Sequence, residues 1–191
     1  MQIRIAHASD ADTIARLHTD SWQIVYRGIL PAHYLDHALL SERQQAWKQR
    51  FAVPERHQCV FLAEQAGAAV GFACAFGAYD PEHGTQLENL HVHTASKGKG
   101  IGAALMQTSA RWSAQNHPGL GLYLWAVTAN TAARHFYEHL GGTISGSGFW
   151  DSPAGVPVPE VRFSWANAKD LVKDSDPITC YRIACVDPSA P

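Results

Sequence analysis

Residues 96–103, SKGKGIGA, place three glycines at alternate positions between two segments of different character. The preceding segment, LENLHVHT, is typical of a strand, and the following one, residues 99–117, is typical of a helix that a Pro-Gly pair ends. Alternate glycines let the backbone approach a ligand closely and turn successive N–H groups into one concavity, to which the helix adds the positive end of its dipole. Because Lys97 and Lys99 add positive charge, we expect a phosphate-binding loop; the alternative is a tight turn that binds nothing.

Two other phosphate-binding loops fit this stretch less well. It lacks the G-x-x-x-x-G-K-[ST] pattern of a nucleoside triphosphate loop. It does match the looser dinucleotide pattern G-x-G-x-x-A, which expects an acidic residue about 20 positions later. The corresponding region, residues 119–128, contains no acid. Several predicted strands also precede the loop, whereas a dinucleotide fold usually begins with this unit.

The order of predicted elements favours a mixed α/β fold. Residues 2–6 alternate like a strand, and the helix after them has apolar positions three and four residues apart. Pro31 is predicted to open a second, short helix. A further helical segment, SERQQAWKQRF, has Ser41 as its predicted N-cap, and the next two strands meet at Ala66-Gly67, a hairpin-type turn. A further strand, a helix, a strand, a helix and two strands complete the order. This order predicts one sheet with helices on both of its faces.

Length and composition narrow the class of protein. The chain has 191 residues, 46% of them hydrophobic and 17% charged, which predicts one soluble domain with a sizeable core. A net charge of −2 argues against nucleic acid as a partner, and no apolar run is long enough to span a membrane. The N-terminal MQIRIAHASD has no signal-peptide pattern, and the four cysteines form no CxxC pair. We therefore expect a protein of the reducing cytoplasm.

Residues 134–141, RHFYEHLG, allow two incompatible interpretations. The letters HFYEH fit the H-x-x-E-H signature of inverted zinc peptidases, with His135 and His139 one helical turn apart. A catalytic zinc needs three protein ligands and an open position, and the one glutamate after this motif is Glu160, in an apparent strand. We therefore expect no metal and a solvated helix face for both histidines. The other interpretation places Tyr137 on a helix, where its hydroxyl could act as an acid.

Two motifs together resemble the GNAT superfamily of N-acetyltransferases. Residues 97–102 (KGKGIG) match [QR]-x-x-G-x-[GA], with lysine in place of the usual arginine or glutamine, and residues 130–141 match N-x-x-A-x-x-F-Y-x-x-x-G in register. The resemblance implies a central, mostly antiparallel seven-stranded sheet, splayed between strands 4 and 5, with helices on both faces. It divides the chain into a GNAT-like domain, residues 1–166, and a C-terminal tail, residues 167–191, that is weakly ordered or packs on the domain.

The resemblance also implies where acetyl-CoA binds. In the family, main-chain groups of the fourth strand bind the thioester and pantetheine, and amides of the glycine loop bind the pyrophosphate. The implied cofactor-binding residues are Leu90, Val92, Lys97, Gly98, Lys99, Gly100, Ile101, Gly102 and Asn130. The family tyrosine lies near the sulfur, so Tyr137 is implied to be the catalytic acid for the leaving thiolate. No metal is implied.

The resemblance implies the base and the acceptor-binding residues less completely than the cofactor-binding residues. The position where several family members carry a glutamate base falls on Gln86, which cannot take a proton. Glu88 is two residues further along, on the same side of the strand, and is the predicted base; His91, a water chain or no dedicated base are the alternatives. Trp22 and Tyr26 lie one turn apart on the first helix and are predicted to wall the acceptor pocket or to pack in the core. His91 is predicted to line that pocket.

The implied function is transfer of an acetyl group from acetyl-CoA to a primary amine on a small molecule or peptide. Two alternatives stay open. One is an acyltransferase that uses a longer acyl-CoA, and the other is a non-catalytic module that binds coenzyme A as a sensor or partner domain. Family members are often dimers, so a homodimer is compatible with the resemblance. Neither nucleic acid nor a membrane is predicted as a partner.

Overall fold

Seven strands join in one sheet in the computed structural model, which describes residues 1–172. The strands are β1 Gln2–Ile5, β2 Gln58–Gln65, β3 Ala68–Asp80, β4 Gly84–Val92, β5 Leu122–Val127, β6 Thr143–Asp151 and β7 Pro157–Trp165. The α-helices of the described chain are α1 Ala11–Val25, α2 Leu39–Ala52, α3 Ile101–Asn116 and α4 Thr131–His139. The strand order is β1-β2-β3-β4-β5-β7-β6, and the neighbours are antiparallel except for β4 and β5. The predicted mixed α/β fold is confirmed.

β4 and β5 are joined only near their beginnings. Thr85 pairs with Leu122 and Gln86 with Tyr123, and beyond these two pairs the described strands separate. β5 remains paired with β7 over its whole length, so the sheet opens between β4 and β5 toward their C-terminal ends. The splay that the family resemblance implied is therefore present, and it places a gap in the middle of the sheet.

Alternation along β2 explains why helices cover both faces of the sheet. Phe61 and Ala63 belong to the core cluster under α3, whereas Val60 and Leu62 belong to the cluster under α1 and α2. All four side chains are buried. Because successive side chains of a strand point to opposite faces, a continuous apolar run needs a helical layer on each side.

β4 carries a β-bulge where it separates from β5. Leu87 is opposite Ala75 and Asn89 is opposite Cys74, so Glu88 has no partner on β3. The extra residue shifts the alternation of side chains by one position. Leu87 therefore packs in the core cluster under α3, while Glu88 and Asn89 both lie on the other face of the sheet.

Two predicted connections had different outcomes. The hairpin turn at Ala66-Gly67 is confirmed, with φ values of 51° and 79° between paired strands. The predicted N-cap at Ser41 was wrong. A π-helical turn, Tyr34–Ala38, continues directly into α2, and the Ser41 hydroxyl donates to the carbonyl oxygen of Ala38 at 2.9 Å inside the helix. No glycine or proline lies between the two segments, so no residue stops the first turn.

The described part of the predicted tail packs on the domain. Residues Ala168–Leu171 form a short 3₁₀ turn whose first and last side chains are buried in the core cluster under α3. Asn167 Oδ1 accepts a hydrogen bond from the Lys169 N–H at 2.9 Å. The rest of the predicted tail, residues 173–191, lies outside the described residues. Within residues 1–172, no helix combines the length and the apolar content that crossing a membrane requires.

Candidate active site

A cavity of about 1060 Å³ occupies the opening between β4 and β5. Its walls come from α1, α2, β4, the start of α3 with the loop before it, and α4 with parts of β5, β6 and β7. Because the two strands separate after Gln86, residues 87–92 of β4 have no strand neighbour on that side. The main-chain groups along this free edge are open to a ligand that pairs like a strand.

The loop before α3 forms a cradle of unpaired main-chain donors. Gly98 and Gly100 have φ values of +75° and +78°, which other residues rarely adopt, and a Cβ atom added at either one would meet nothing within 4 Å. The N–H groups of residues 98–103 have no acceptor in the described chain, and the first helical bond runs from the Ala104 N–H to Gly100 O at 3.0 Å. Free N–H groups at the start of a 16-residue helix form a site for an anion.

The side chains around this cradle differ in what they contact. Lys97 lines the cavity, whereas Lys99 Nζ donates to a carbonyl oxygen of the preceding turn at 3.0 Å and does not line it. Ile101 is buried in the core cluster under α3. Gly102 packs against α4, where an added Cβ would lie 3.4 Å from Phe136 Cζ. Lys97 therefore brings side-chain charge to the cavity, and Lys99 can offer its main-chain N–H.

α4 brings Asn130 and Tyr137 to the same cavity. Asn130 Oδ1 accepts from the Ala133 N–H at 3.2 Å, and its amide hydrogens have no partner among residues 1–172. Tyr137 is 9% exposed, and burial raises the pKa of its phenol well above the usual range. Its ring packs on those of Phe163 and Trp165, with ring centres 5.6 and 6.4 Å away. The phenol therefore keeps its proton at neutral pH.

Two carboxylates line the cavity from β4 and β7. Glu88, on the bulge, is exposed and accepts from Gln86 Nε2 at 2.8 Å, and Gln86 Oε1 accepts from the Tyr123 hydroxyl at 3.3 Å. Burial, and then the negative charge of Glu88, raise the pKa of half-buried Glu160. Neither carboxylate forms an ion pair within the described chain. Both can accept hydrogen bonds from an ammonium group.

Two imidazoles pack together beside these carboxylates. His91 Nδ1 lies 2.9 Å from Ser21 Oγ, and the ring centres of His91 and His18 are 4.6 Å apart. Burial, helped by nearby positive charge, lowers the pKa of His91 to about 3, and burial also lowers the pKa of His18. His18 Nδ1 accepts from Trp47 Nε1 at 3.1 Å, so the proton of the neutral ring is on Nε2, which has no partner among the described residues. Both rings are neutral at pH 7.

Trp22 and Tyr26 form an aromatic wall together with Trp150. The ring centres lie 5.0 Å apart for Trp22 and Tyr26, 5.2 Å for Trp22 and Trp150, and 5.7 Å for Tyr26 and Trp150. All three rings line the cavity and belong to one hydrophobic cluster, so the wall is also core packing. Burial raises the pKa of Tyr26 to about 12, which keeps its hydroxyl neutral.

The sequence of the chain is similar to those of known acetyltransferases. The sequence profile of the acetyltransferase (GNAT) family matches residues 14–142. The chain belongs to this family. The uncharacterized N-acetyltransferase YuaI of Bacillus subtilis is 27% identical over 173 residues, which cover 88% of this chain and 95% of YuaI.

Solved structures of GNAT proteins share the fold. The PaiA N-acetyltransferase of Thermoplasma acidophilum, in complex with coenzyme A, has a TM-score of 0.64 at 18% identity, over 84% of this chain and 98% of that one. The yncA protein of Salmonella typhimurium, solved with its cofactor acetyl-CoA, has a TM-score of 0.60 at 18% identity, over 94% and 99% of the two chains. At such low identity these similarities show the fold alone, and they confirm the predicted GNAT fold.

The predicted site residues of this GNAT chain converge on the cavity. Apart from the side chain of Lys99, all of them line it: Trp22, Tyr26, Glu88, Leu90, His91, Val92, Lys97, Gly98, Gly100, Ile101, Gly102, Asn130 and Tyr137. Their binding and catalytic roles stay predictions, because the cavity shows which residues are together and not what they bind.

The GNAT cavity also contains residues to which the sequence patterns gave no role in acetyl transfer: His18, Arg50, Trp150 and Glu160. The sequence does mark Glu160 as a candidate site residue, since it is the one acid in the apolar strand segment VPEVRFSW. The other three had none. A single histidine, arginine or tryptophan in a helix or strand is equally typical of core packing or of a solvated face.

The two histidines of α4 are exposed, as expected for a solvated helix face. His139 also reaches the rim of the cavity, whereas His135 does not line it. Among residues 1–172, no three His, Cys, Asp or Glu side chains come together as a metal site would require. The buried side of the same helix carries Tyr137.

Proposed function

We propose that this chain transfers an acetyl group from acetyl-CoA to a primary amine of a small molecule or peptide, by direct attack. The observation that carries the proposal is that one cavity joins the N–H cradle of residues 98–103, the free edge of β4 and the buried phenol of Tyr137. These features suit a pyrophosphate, an extended amide chain and a leaving thiolate, respectively. The related structures that contain acetyl-CoA or coenzyme A support this choice of donor.

The residues of the cavity fit this cofactor. A pyrophosphate at the cradle would accept from the free N–H groups and gain from the dipole of α3 and the charge of Lys97. The empty space over Gly98 and Gly100 is the room that phosphate oxygens need. Main-chain groups of Leu90 and Val92 would pair with the pantetheine amides along the free edge of β4.

Different side chains of the cavity would accept the proton of the amine and donate a proton to the thiolate. When bound, acetyl-CoA supplies the thioester carbon that the amine attacks, so that a C–N bond forms and the C–S bond breaks. An alkyl ammonium has a pKa near ~10.4, so the acceptor must first give a proton to a group in the cavity. Tyr137 keeps its own proton at neutral pH and can donate it to the thiolate. Main-chain N–H groups of β4 can stabilise charge on the carbonyl oxygen.

Glu88 is the proposed base. It lines the cavity, forms no ion pair in the described chain and lies on the bulge beside the free edge of β4. Glu160 supports it, because two carboxylates acting on the same space attract an ammonium, and burial together with the charge of Glu88 raises the pKa of Glu160. His91 is a poorer base, since a pKa of about 3 means that it binds a proton weakly.

The test combines calorimetric titration with acetyl-CoA and a thiol-release assay with a panel of primary amines. Tyr137→Phe removes only the phenol hydroxyl, so we expect kcat to fall by about 10²-fold while the Kd of acetyl-CoA is unchanged. Tyr79→Phe is the matched control, because Tyr79 is 56% exposed and does not line the cavity. It should change neither quantity.

The other functions predict different results in the same assays. Binding of acetyl-CoA without thiol release for any amine would indicate a non-catalytic module. Faster release from propionyl-CoA or a longer thioester would indicate an acyltransferase with another donor. Absence of acetyl-CoA binding would refute the proposed function.

A further inference from the structure

One face of α2 is turned toward the acceptor side of the cavity. The residues on it that line the cavity are Arg43, Ala46, Trp47 and Arg50, at three- and four-residue spacings. Both arginines lie over aromatic rings. The guanidinium carbon of Arg43 is 4.8 Å from the ring centre of Trp22, and that of Arg50 is 5.0 Å from Trp47 and 5.3 Å from Phe76.

Arg50 is held firmly but its charge is not neutralised. Its Nη1 donates to Asn89 Oδ1 at 3.0 Å and contacts Cys74 Sγ at 3.7 Å. Its Nε and Nη2 have no acceptor among residues 1–172, and no carboxylate of these residues forms an ion pair with it. Arg43, in contrast, contacts the carboxylate of Glu42. A half-buried guanidinium fixed by stacking and left without a counter-ion is prearranged for an anion.

This cation lies next to the proposed base. Asn89, which orients Arg50, directly follows Glu88, and the bulge puts both side chains on one face of β4. Burial raises the pKa of the Cys74 thiol to about 12, and the charges of Arg50 and Glu88 then act on that thiol in opposite directions. The two charges therefore act on the same buried thiol, yet they form no ion pair in the described chain.

We propose that the acceptor is a small amino carboxylate whose carboxylate binds Arg50 and whose amino group lies at Glu88. This inference rests on the proposed function, because it names the acceptor of the same transfer. In an α-amino acid one carbon separates the two charged groups, which suits an anion on β4 and a cation of α2 that is held by the next residue of β4. The planar guanidinium can hold a carboxylate through Nε and Nη2, the donors that are left unpaired. The aromatic wall of Trp22, Tyr26 and Trp150 offers apolar contact to the acceptor side chain.

The experiment compares L-amino acids with their decarboxylated amines, for example phenylalanine with phenethylamine, by thiol release from acetyl-CoA. The full chain is assayed alongside its Arg50→Met, Arg50→Lys and Lys48→Met variants. Lys48→Met is the matched control, because it removes a positive charge from the exposed side of the same helix, where Lys48 pairs with Asp12 at 3.3 Å. Calorimetric titration of the amino acid into protein with coenzyme A gives a Kd that does not depend on turnover.

We expect the unaltered chain to use the amino acid with a kcat/KM about tenfold or more above that of its decarboxylated amine. Arg50→Met should raise the KM and Kd of the amino acid by about 10- to 100-fold, as expected for lost hydrogen bonds to a charged group. The kcat/KM of the decarboxylated amine should change far less, because that acceptor has no carboxylate for Arg50 to bind. Arg50→Lys should recover part of the loss, and Lys48→Met should behave like the unaltered chain.

Three results would count against this inference or its basis. Equal losses for both acceptors in Arg50→Met would overturn it, because Arg50 would then only hold α2 against β4. Acetylation of decarboxylated amines but not of amino acids would overturn it and leave the proposed function intact. Absence of thiol release with every acceptor would refute the proposed function itself. In that case the Kd of the amino acid, measured by calorimetry, would test the carboxylate site without turnover. A Kd that rises in Arg50→Met would support the site, and a Kd that stays the same would overturn it.

Discussion

Gly100→Ala separates the conformational role of the glycine loop from its role in binding. Gly100 has a φ of +78°, and its added Cβ would contact no other atom within 4 Å. The substitution should therefore cost only the left-handed backbone strain, about 1–2 kcal/mol. For a domain of this size that loss lowers Tm by about 2–8 °C. The new methyl group lies where the unpaired N–H groups converge, so it should also exclude a phosphate from them.

The matched control is Gly119→Ala, at a turn that follows α3. Its φ is +81° and its added Cβ also meets nothing within 4 Å, but Gly119 does not line the cavity. Both variants should lose the same amount of Tm in differential scanning calorimetry. In titration calorimetry only Gly100→Ala should weaken acetyl-CoA binding, by about 10- to 100-fold if hydrogen bonds to a charged pyrophosphate are lost.

Two outcomes of these measurements would not support a cofactor-binding role for the glycine loop. If both variants lose Tm equally and both bind acetyl-CoA like the unaltered chain, the cradle of unpaired N–H groups does not hold the cofactor. If both lose affinity equally, the loss comes from general destabilisation and says nothing about the loop.

Three further predictions concern buried or half-buried polar groups. Ser113→Ala should lower the free energy of unfolding in urea by about 1–3 kcal/mol, because it removes the partner of the buried Thr85 hydroxyl, 2.6 Å away. The double variant with Thr85→Val should lose less stability, because it leaves no unpaired hydroxyl. A larger loss in the double variant would contradict this explanation. Cys74 is fully buried with its pKa raised to about 12, so mass spectrometry should find it alkylated by iodoacetamide only after unfolding. The raised pKa of Glu160 means that its charged form destabilises the folded state above the folded pKa, and that this penalty disappears as the pH falls below the unfolded value. Glu160→Gln should therefore raise Tm at neutral pH and have little effect near pH ~4, with exposed Glu138→Gln as the control; an equal gain at both pH values would contradict the assignment.

Features that depend on near neighbours in the sequence could be predicted. Asparagine is a common N-cap, and Asn130 begins α4 through its bond to the Ala133 N–H; the two-residue turn at Ala66-Gly67 has the positive φ values expected. The glycine loop likewise needs the left-handed φ of Gly98 and Gly100, and no other residue type adopts it so readily. In each case the deciding interaction spans only a few residues.

Features that depend on distant pairing could not be predicted from the patterns. The apolar segments of β4 and β5 do not reveal that their pairing stops after Gln86, and the splay came only from the family resemblance. The bulge at Glu88 is fixed by the register against β3, which no local pattern encodes. Arg50 became a candidate for binding only because it meets Asn89, 39 residues away in sequence, on an adjoining layer. The continuation of the π-helical turn into α2 was missed, because no glycine or proline separates the two segments and the hydroxyl of Ser41 was assigned a capping role.

The gap between β4 and β5 also affects how the protein behaves toward copies of itself. A strand edge with unpaired N–H and C=O groups usually invites another chain to add to the sheet, which leads to aggregation. Here such an edge lies in the interior of the strand order, with three strands on each side of β4. Helical layers cover both faces of the sheet around it, and the sheet continues through β5 on the far side of the gap, so a second chain has less open space here than beside an outer strand. The fold thus keeps an unpaired edge for a ligand inside the sheet, away from the outer strands β1 and β6, where another chain has the most room to add.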